Sequence, residues 1–202
     1  MVYIVVCSVT FIISILSLFS GFGLGTVLMP AFALFFPIPL AIAATAVVHL
    51  ANNIFKVILV GKNADRNIVI KFGIPAAFSA MIGAALLNFL EKMPVIAAYS
   101  FRESVYEITI LKLCIGIIII AFAVFEISPF SEKLAFERKY MPLGGIISGF
   151  FGGLSGNQGA LRSAFLINAG LSKEVFIGTG AVATVIVDIS RLLIYGMTFY
   201  TS

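Results

Sequence analysis

The chain has 202 residues, of which 61% are hydrophobic and 11% charged, and its mean hydropathy is +1.14. A water-soluble domain carries about 45–50% apolar and about 25% charged residues, so a soluble enzyme and a disordered chain are both excluded. The formal net charge of +4 comes from 13 Lys and Arg scattered between apolar runs, a pattern that reports topology in a membrane rather than a nucleic-acid surface.

Six apolar runs follow one another, at 2–36, 40–60, 68–90, 108–125, 143–169 and 175–199. One membrane span takes about 20 apolar residues. The expected fold is therefore all-α, a polytopic transmembrane helix bundle, forming one integral membrane domain over 1–202. The first run begins without a basic n-region and outlasts a signal-peptide core, so it is expected to stay in the mature protein. Its middle holds Gly21, Gly23 and Gly25, followed by Pro30. That glycine density predicts a broken or re-entrant helix, tolerated at membrane depth only inside protein or beside a water-filled cavity.

In the second run His49, Asn52, Asn53 and Lys56 fall on one helical face, and Thr45 extends it by a turn. Lys56 has two readings, an inward contact or a side chain that snorkels to the headgroups from a span end. His49 likewise reads as a structural hydrogen-bonding group or as a contact for substrate or proton. The third and fourth runs are plain spans. Cys7 and Cys114 lie inside apolar runs and read as packing residues, not as a disulfide or a metal site.

The fifth run carries Gly144, Gly145, Gly149, Gly152, Gly153, Gly156 and Gly159. The stripe Gly145–Gly149–Gly153 has the spacing of close helix packing through small residues. Gly156-Asn157-Gln158-Gly159 then reads as a second break, with Arg162 just beyond it. The sixth run repeats the polar face as Thr184, Asp188, Arg191 and Tyr195. Ionisable groups inside a span cost at least about 2.5–3.5 kcal/mol each near the bilayer centre and normally face the bundle interior. Asp188 and Arg191 can pair with each other at i, i+3, or can serve a ligand.

Links between runs carry Lys and Arg unevenly. Counted with their flanks, those after runs two and four hold seven, and those after runs three and five hold four. The richer side is assigned to the cytoplasm, with both termini, in the inner (plasma) membrane.

The chain also resembles itself. Ser20-Gly21-Phe22 recurs as Ser148-Gly149-Phe150, and with small shifts Gly23 meets Gly156, Asn53 meets Asp188 and Lys56 meets Arg191. The expected organisation is a first repeat over about 1–130 and an incomplete second over about 140–202, its two Gly-broken helices related by the repeat. Transporters built this way place the site at the repeat interface. A broken helix offers unpaired N–H groups and a partial positive charge, which suits an anion.

These residues resemble the sulfite exporter TauE/SafE family of membrane permeases. Gly21-Phe22-Gly23-Leu24-Gly25-Thr26-Val27-Leu28-Met29-Pro30 is similar to the glycine-rich stretch of its first half. Gly152-Gly153-Leu154-Ser155-Gly156-Asn157-Gln158-Gly159-Ala160-Leu161-Arg162-Ser163 is similar to that of its second half. Leu24 and Asn157-Gln158 interrupt the more usual triple glycine, and Ser163 stands where Pro is usual. The resemblance implies export of a small anion, sulfite or an organosulfonate, by alternating access. The expected substrate-binding set is Gly23, Gly25, Pro30, His49, Asn53, Lys56, Gly156, Asn157, Gln158, Gly159, Arg162, Asp188 and Arg191. Partners are the lipid bilayer, a small anionic substrate and a coupling proton, with a homo-oligomer allowed. Nucleic acid, a metal and any cofactor are not expected. With one His and no Gly-x-Ser-x-Gly, the chain is not read as an enzyme. The alternative is a channel, or a non-catalytic membrane subunit that needs a partner chain.

Overall fold

The computed structural model describes residues 2–20, 24–101, 104–128 and 136–201. The first apolar run yields helix α1 (Val2–Ser20) and helix α2 (Leu24–Ala33). Gly21 and Gly23, where the first break is expected, lie outside the described residues. Pro37 precedes α3 (Ile38–Val60), and Pro39 sits in its first turn, where no amide hydrogen is needed. Asp65 caps the next helix, α4 (Arg66–Glu91), by accepting from the amides of Asn67 and Ile68. A π turn over Val69–Gly73 lies inside α4.

The link after α4 is not a loop. Strands β1 (Val95–Phe101) and β2 (Ser104–Thr109) form an antiparallel hairpin. Val95, Ile96, Val105 and Ile108 are β-branched, and Tyr99 stacks on its cross-strand partner Tyr106 with ring centroids 5.5 Å apart. Such residues favour a pleated ribbon over a coil. Thr109 then caps α5 (Ile110–Ile127). The fifth run divides into α6 (Met141–Ser155) and α7 (Gly159–Leu166), and the sixth forms the long α8 (Lys173–Thr201).

Among the described residues four helices are long and apolar enough to cross a membrane: Ile38–Asn63, Arg66–Glu91, Ile110–Ile127 and Lys173–Thr198. The fifth apolar run is divided at its glycines, as its composition predicts. The fifth run is a helix, a break and a second helix, because glycine at its centre ends the first helix early.

The exteriors of the spans carry Ile58, Phe78, Ile120 and Ile127, all well exposed in the isolated chain, which suits contact with lipid tails. The interior is built on close backbone approach. Gly145, Gly149 and Gly153 of α6 lie against Phe72, Ala76 and Ala80 of α4. A Cβ on Gly149 would sit 2.6 Å from the Ala76 Cα. The Ser79 hydroxyl donates across this seam to the Ile146 carbonyl at 2.7 Å. α3 and α8 pack side by side, and α8 also lies along α4. The polar faces of α3 and α8 therefore meet inside the bundle, next to the break between α6 and α7.

Candidate functional site

Buried carboxylates need partners, and Asp188 has three. Its Oδ2 lies 3.2 Å from His49 Nδ1 on α3, and its Oδ1 accepts from Gln158 Nε2 at 3.1 Å. The same Oδ1 accepts from Arg191 Nε at 3.0 Å and Nη2 at 2.6 Å. Asp188 therefore joins α3, α8 and the α6–α7 connection. Asn53 Nδ2 donates to the His49 carbonyl at 2.8 Å and lies 3.4 Å from the His49 Nδ1.

Arg191 performs a second task. Its Nη1 donates to the Gly152 carbonyl at 2.8 Å, and Tyr195 Oη donates to the Gly153 carbonyl. The last carbonyls of a helix lack intrahelical donors and carry partial negative charge. Arg191 and Tyr195 thus finish the end of α6 with side chains from α8. Of the two readings of Asp188 and Arg191, the mutual pair is present, and Arg191 also holds the end of α6.

At the break, Gly156 adopts φ +82, the left-handed region that a Cβ penalises. Gln158 precedes α7, and its carbonyl accepts from the Ser148 hydroxyl at 3.0 Å and the Arg162 amide at 3.0 Å. Gly159 is the first residue of α7. The first turn of α2 closes on this break from the other half of the chain. A Cβ on Gly25 would sit 3.0 Å from Asn157 Oδ1 and 3.2 Å from the Gly156 carbonyl carbon, so only glycine lets α2 approach so closely. Pro30 is placed elsewhere, inside α2 one turn past Thr26.

Two cations line the same interior. Arg162 on α7 is buried, and its Nη1 donates to Thr184 Oγ1 on α8. Lys56 does not snorkel. It is buried and its Nζ donates to the Ser17 carbonyl of α1 at 3.0 Å. The lysine stem is long enough to reach back across α3 to α1, where Asn52 Nδ2 also holds the Ser14 carbonyl at 3.1 Å. Arg162 lies near enough to Lys56, His49 and Asp188 to act on each through space.

Two features set the chemistry of this region. Among the described residues the buried charged side chains are Lys56, Arg162, Arg191 and Asp188, so cations outnumber carboxylates. And Asn157, only 3% exposed, has an amide Nδ2 with no hydrogen-bond partner among the described residues. An unmet buried donor costs about 1–3 kcal/mol. Placed at a glycine break, at the start of α7 and beside surplus positive charge, it is a donor that an anion would satisfy. No group of three or more His, Cys, Asp or Glu able to hold a metal occurs among the described residues.

The structure thus brings together Gly25, His49, Asn53, Gly156, Asn157, Gln158, Gly159, Arg162, Asp188 and Arg191, with Lys56 near them. Sequence reading overlooks Ser148, Thr26 and Glu126. Thr26 Oγ1 lies 2.9 Å from Glu126 Oε1 and 3.4 Å from Asn157 Oδ1. Glu126 escapes notice because an acid at the end of an apolar run looks like the start of a loop.

A family model described as sulfite exporter TauE/SafE matches residues 6–201. No curated protein and no solved structure matches the chain.

Proposed function

The chain belongs to the sulfite exporter TauE/SafE family, a family of multi-pass membrane transporters of sulfite and related anions, and from that premise we propose a substrate, a site and a direction. The substrate is a small sulfur-containing oxyanion, sulfite or an organosulfonate, moved outward across the inner (plasma) membrane. The observation that carries this reading is the buried, unpartnered Asn157 Nδ2 at the glycine break. Surplus positive charge around it supports a ligand of negative charge. Gln158 and Asp188 set the shape of the site, and Arg162 and Lys56 attract the anion into it.

Alternating access is the proposed mechanism. Gly25 of the first half touches the break of the second, so movement between the halves would open this contact to one side and then the other. The sequence repeat over about 1–130 and about 140–202 is the proposed origin of the two halves. His49 and Asp188 share one hydrogen bond and are the proposed carriers of a coupling proton.

Purified protein in proteoliposomes, given radiolabelled sulfite and an imposed pH gradient, tests this. Saturable uptake that collapses with the gradient is expected. Arg162→Ala should weaken apparent affinity about tenfold or more, the scale of a lost charge-assisted contact. No movement of sulfite or any alkanesulfonate would remove the proposal, and single-channel currents without a gradient would replace the carrier by a channel.

A further inference from the structure

Glu126 stands on α5, in a span of mean hydropathy 2.6, and is half-buried with its carboxylate on Thr26. A carboxyl group in that position needs a reason. Thr26 has one hydroxyl hydrogen and two acceptors within reach, Glu126 Oε1 at 2.9 Å and Asn157 Oδ1 at 3.4 Å. It can serve only one of them fully.

The protonation state of Glu126 decides which. An ionised Glu126 takes the Thr26 hydrogen. Thr26 Oγ1 is then left as an acceptor, and the Asn157 amide does best by turning Nδ2 toward it. That turn aims Oδ1 into the site, where it repels an anion. A protonated Glu126 instead donates to Thr26 Oγ1, and Thr26 passes its own hydrogen to Asn157 Oδ1. Nδ2 is then aimed into the site and available. The structure has the amide orientation of this second state, with Oδ1 toward Thr26 and Nδ2 without a partner among the described residues, while Thr26 Oγ1 is also within donating distance of Glu126 Oε1.

We propose that Glu126 is a positioning residue which, through Thr26, turns the Asn157 amide between an anion-accepting and an anion-rejecting orientation. The proposal rests on the anion site at the break. One proton is bound by Glu126 as the anion enters and is released as it leaves, so proton and anion affinities rise together. Of the elements that face α5, α2 and α6 bring no ionisable side chain, α4 carries Arg66, Lys71 and Glu91 toward its ends, β2 carries Tyr106 and Glu107, and α7, whose Leu161 lines a pocket with Phe122 and Phe125, carries Arg162. Lys112 on α5 itself donates to the Glu107 carbonyl. None of these forms an ion pair with Glu126 among the described residues. His49 on α3, a further titratable group of the site, sits on Asp188.

Equilibrium binding of methanesulfonate, whose charge is constant, to the purified protein at about pH 5 and about pH 8 is the test. The wild type is expected to bind about tenfold more weakly at the higher pH, the worth of one charge-assisted hydrogen bond. Glu126→Gln, whose amide donates as the protonated acid does, should hold its low-pH affinity at high pH. Thr26→Val keeps the carboxyl and removes the relay, and should flatten the profile while weakening binding. A Glu126→Gln profile that matches the wild type overturns the proposal. So does a Thr26→Val protein that keeps the full pH response, since Glu126 would then act through space. No binding by the wild type at either pH overturns instead the anion site itself.

Discussion

Asp188 is the residue on which the interior is organised. Its carboxylate serves His49, Gln158 and Arg191 at once, so three separate elements depend on one charge. Removing one partner of a buried ion pair costs about 3–5 kcal/mol because the other charge is left uncompensated. Asp188→Asn should therefore lower the melting temperature in detergent sharply, and Asp188→Leu with Arg191→Met should recover part of that loss. An unchanged melting temperature in Asp188→Asn would show that the pair is not an anchor. The two faces that meet here were legible from spacing, because polar groups at i, i+3, i+4 and i+7 in an apolar run normally point inward, although Lys56 at a span end was equally readable as snorkelling. The Asp188–Arg191 pair was legible too, from its i, i+3 spacing, but the partners on other elements were not. Nothing in the chain order links His49 to Asp188, or Lys56 to the Ser17 carbonyl. Those contacts come from how α1, α3 and α8 pack.

At the scale of elements, the glycines of the fifth run do two different jobs. Gly145, Gly149 and Gly153 let α6 lie against the backbone of α4, whereas Gly156 turns the chain at φ +82. The regular spacing of the first three and the off-register position of the fourth made this division readable in the sequence. Overpacking a tight seam costs about 1–3 kcal/mol. Gly149→Val should therefore reduce the folded yield, measured by size exclusion in detergent. Ile146→Val, at a lipid-facing position of the same helix that is 48% exposed, should not. Equal yields would mean that the seam is loose. The β1–β2 hairpin was not legible, because counting apolar runs treats everything between spans as a link. Its β-branched and aromatic residues, Val95, Ile96, Tyr99, Val105, Tyr106 and Ile108, carried the signal through composition.

For the molecule as a whole, the membrane environment explains an inversion. Apolar side chains cover the outside, and Lys56, Arg162, Asp188 and Arg191 lie within. In water such a distribution would aggregate; in lipid it places charge where only a ligand or another buried group can meet it. The break at Gly156-Asn157-Gln158 lies at the centre of this arrangement, touched by α2 from one half and by α8 from the other. The most direct test is calorimetric binding of sulfite to the purified wild type and to Asn157→Leu, with melting temperatures of both. The unpartnered amide is a cost in the empty protein and a contact in the loaded one. Asn157→Leu should therefore melt no lower than the wild type and bind sulfite at least about tenfold more weakly. Unaltered sulfite affinity in a folded Asn157→Leu protein would contradict the assignment of the break as the anion site.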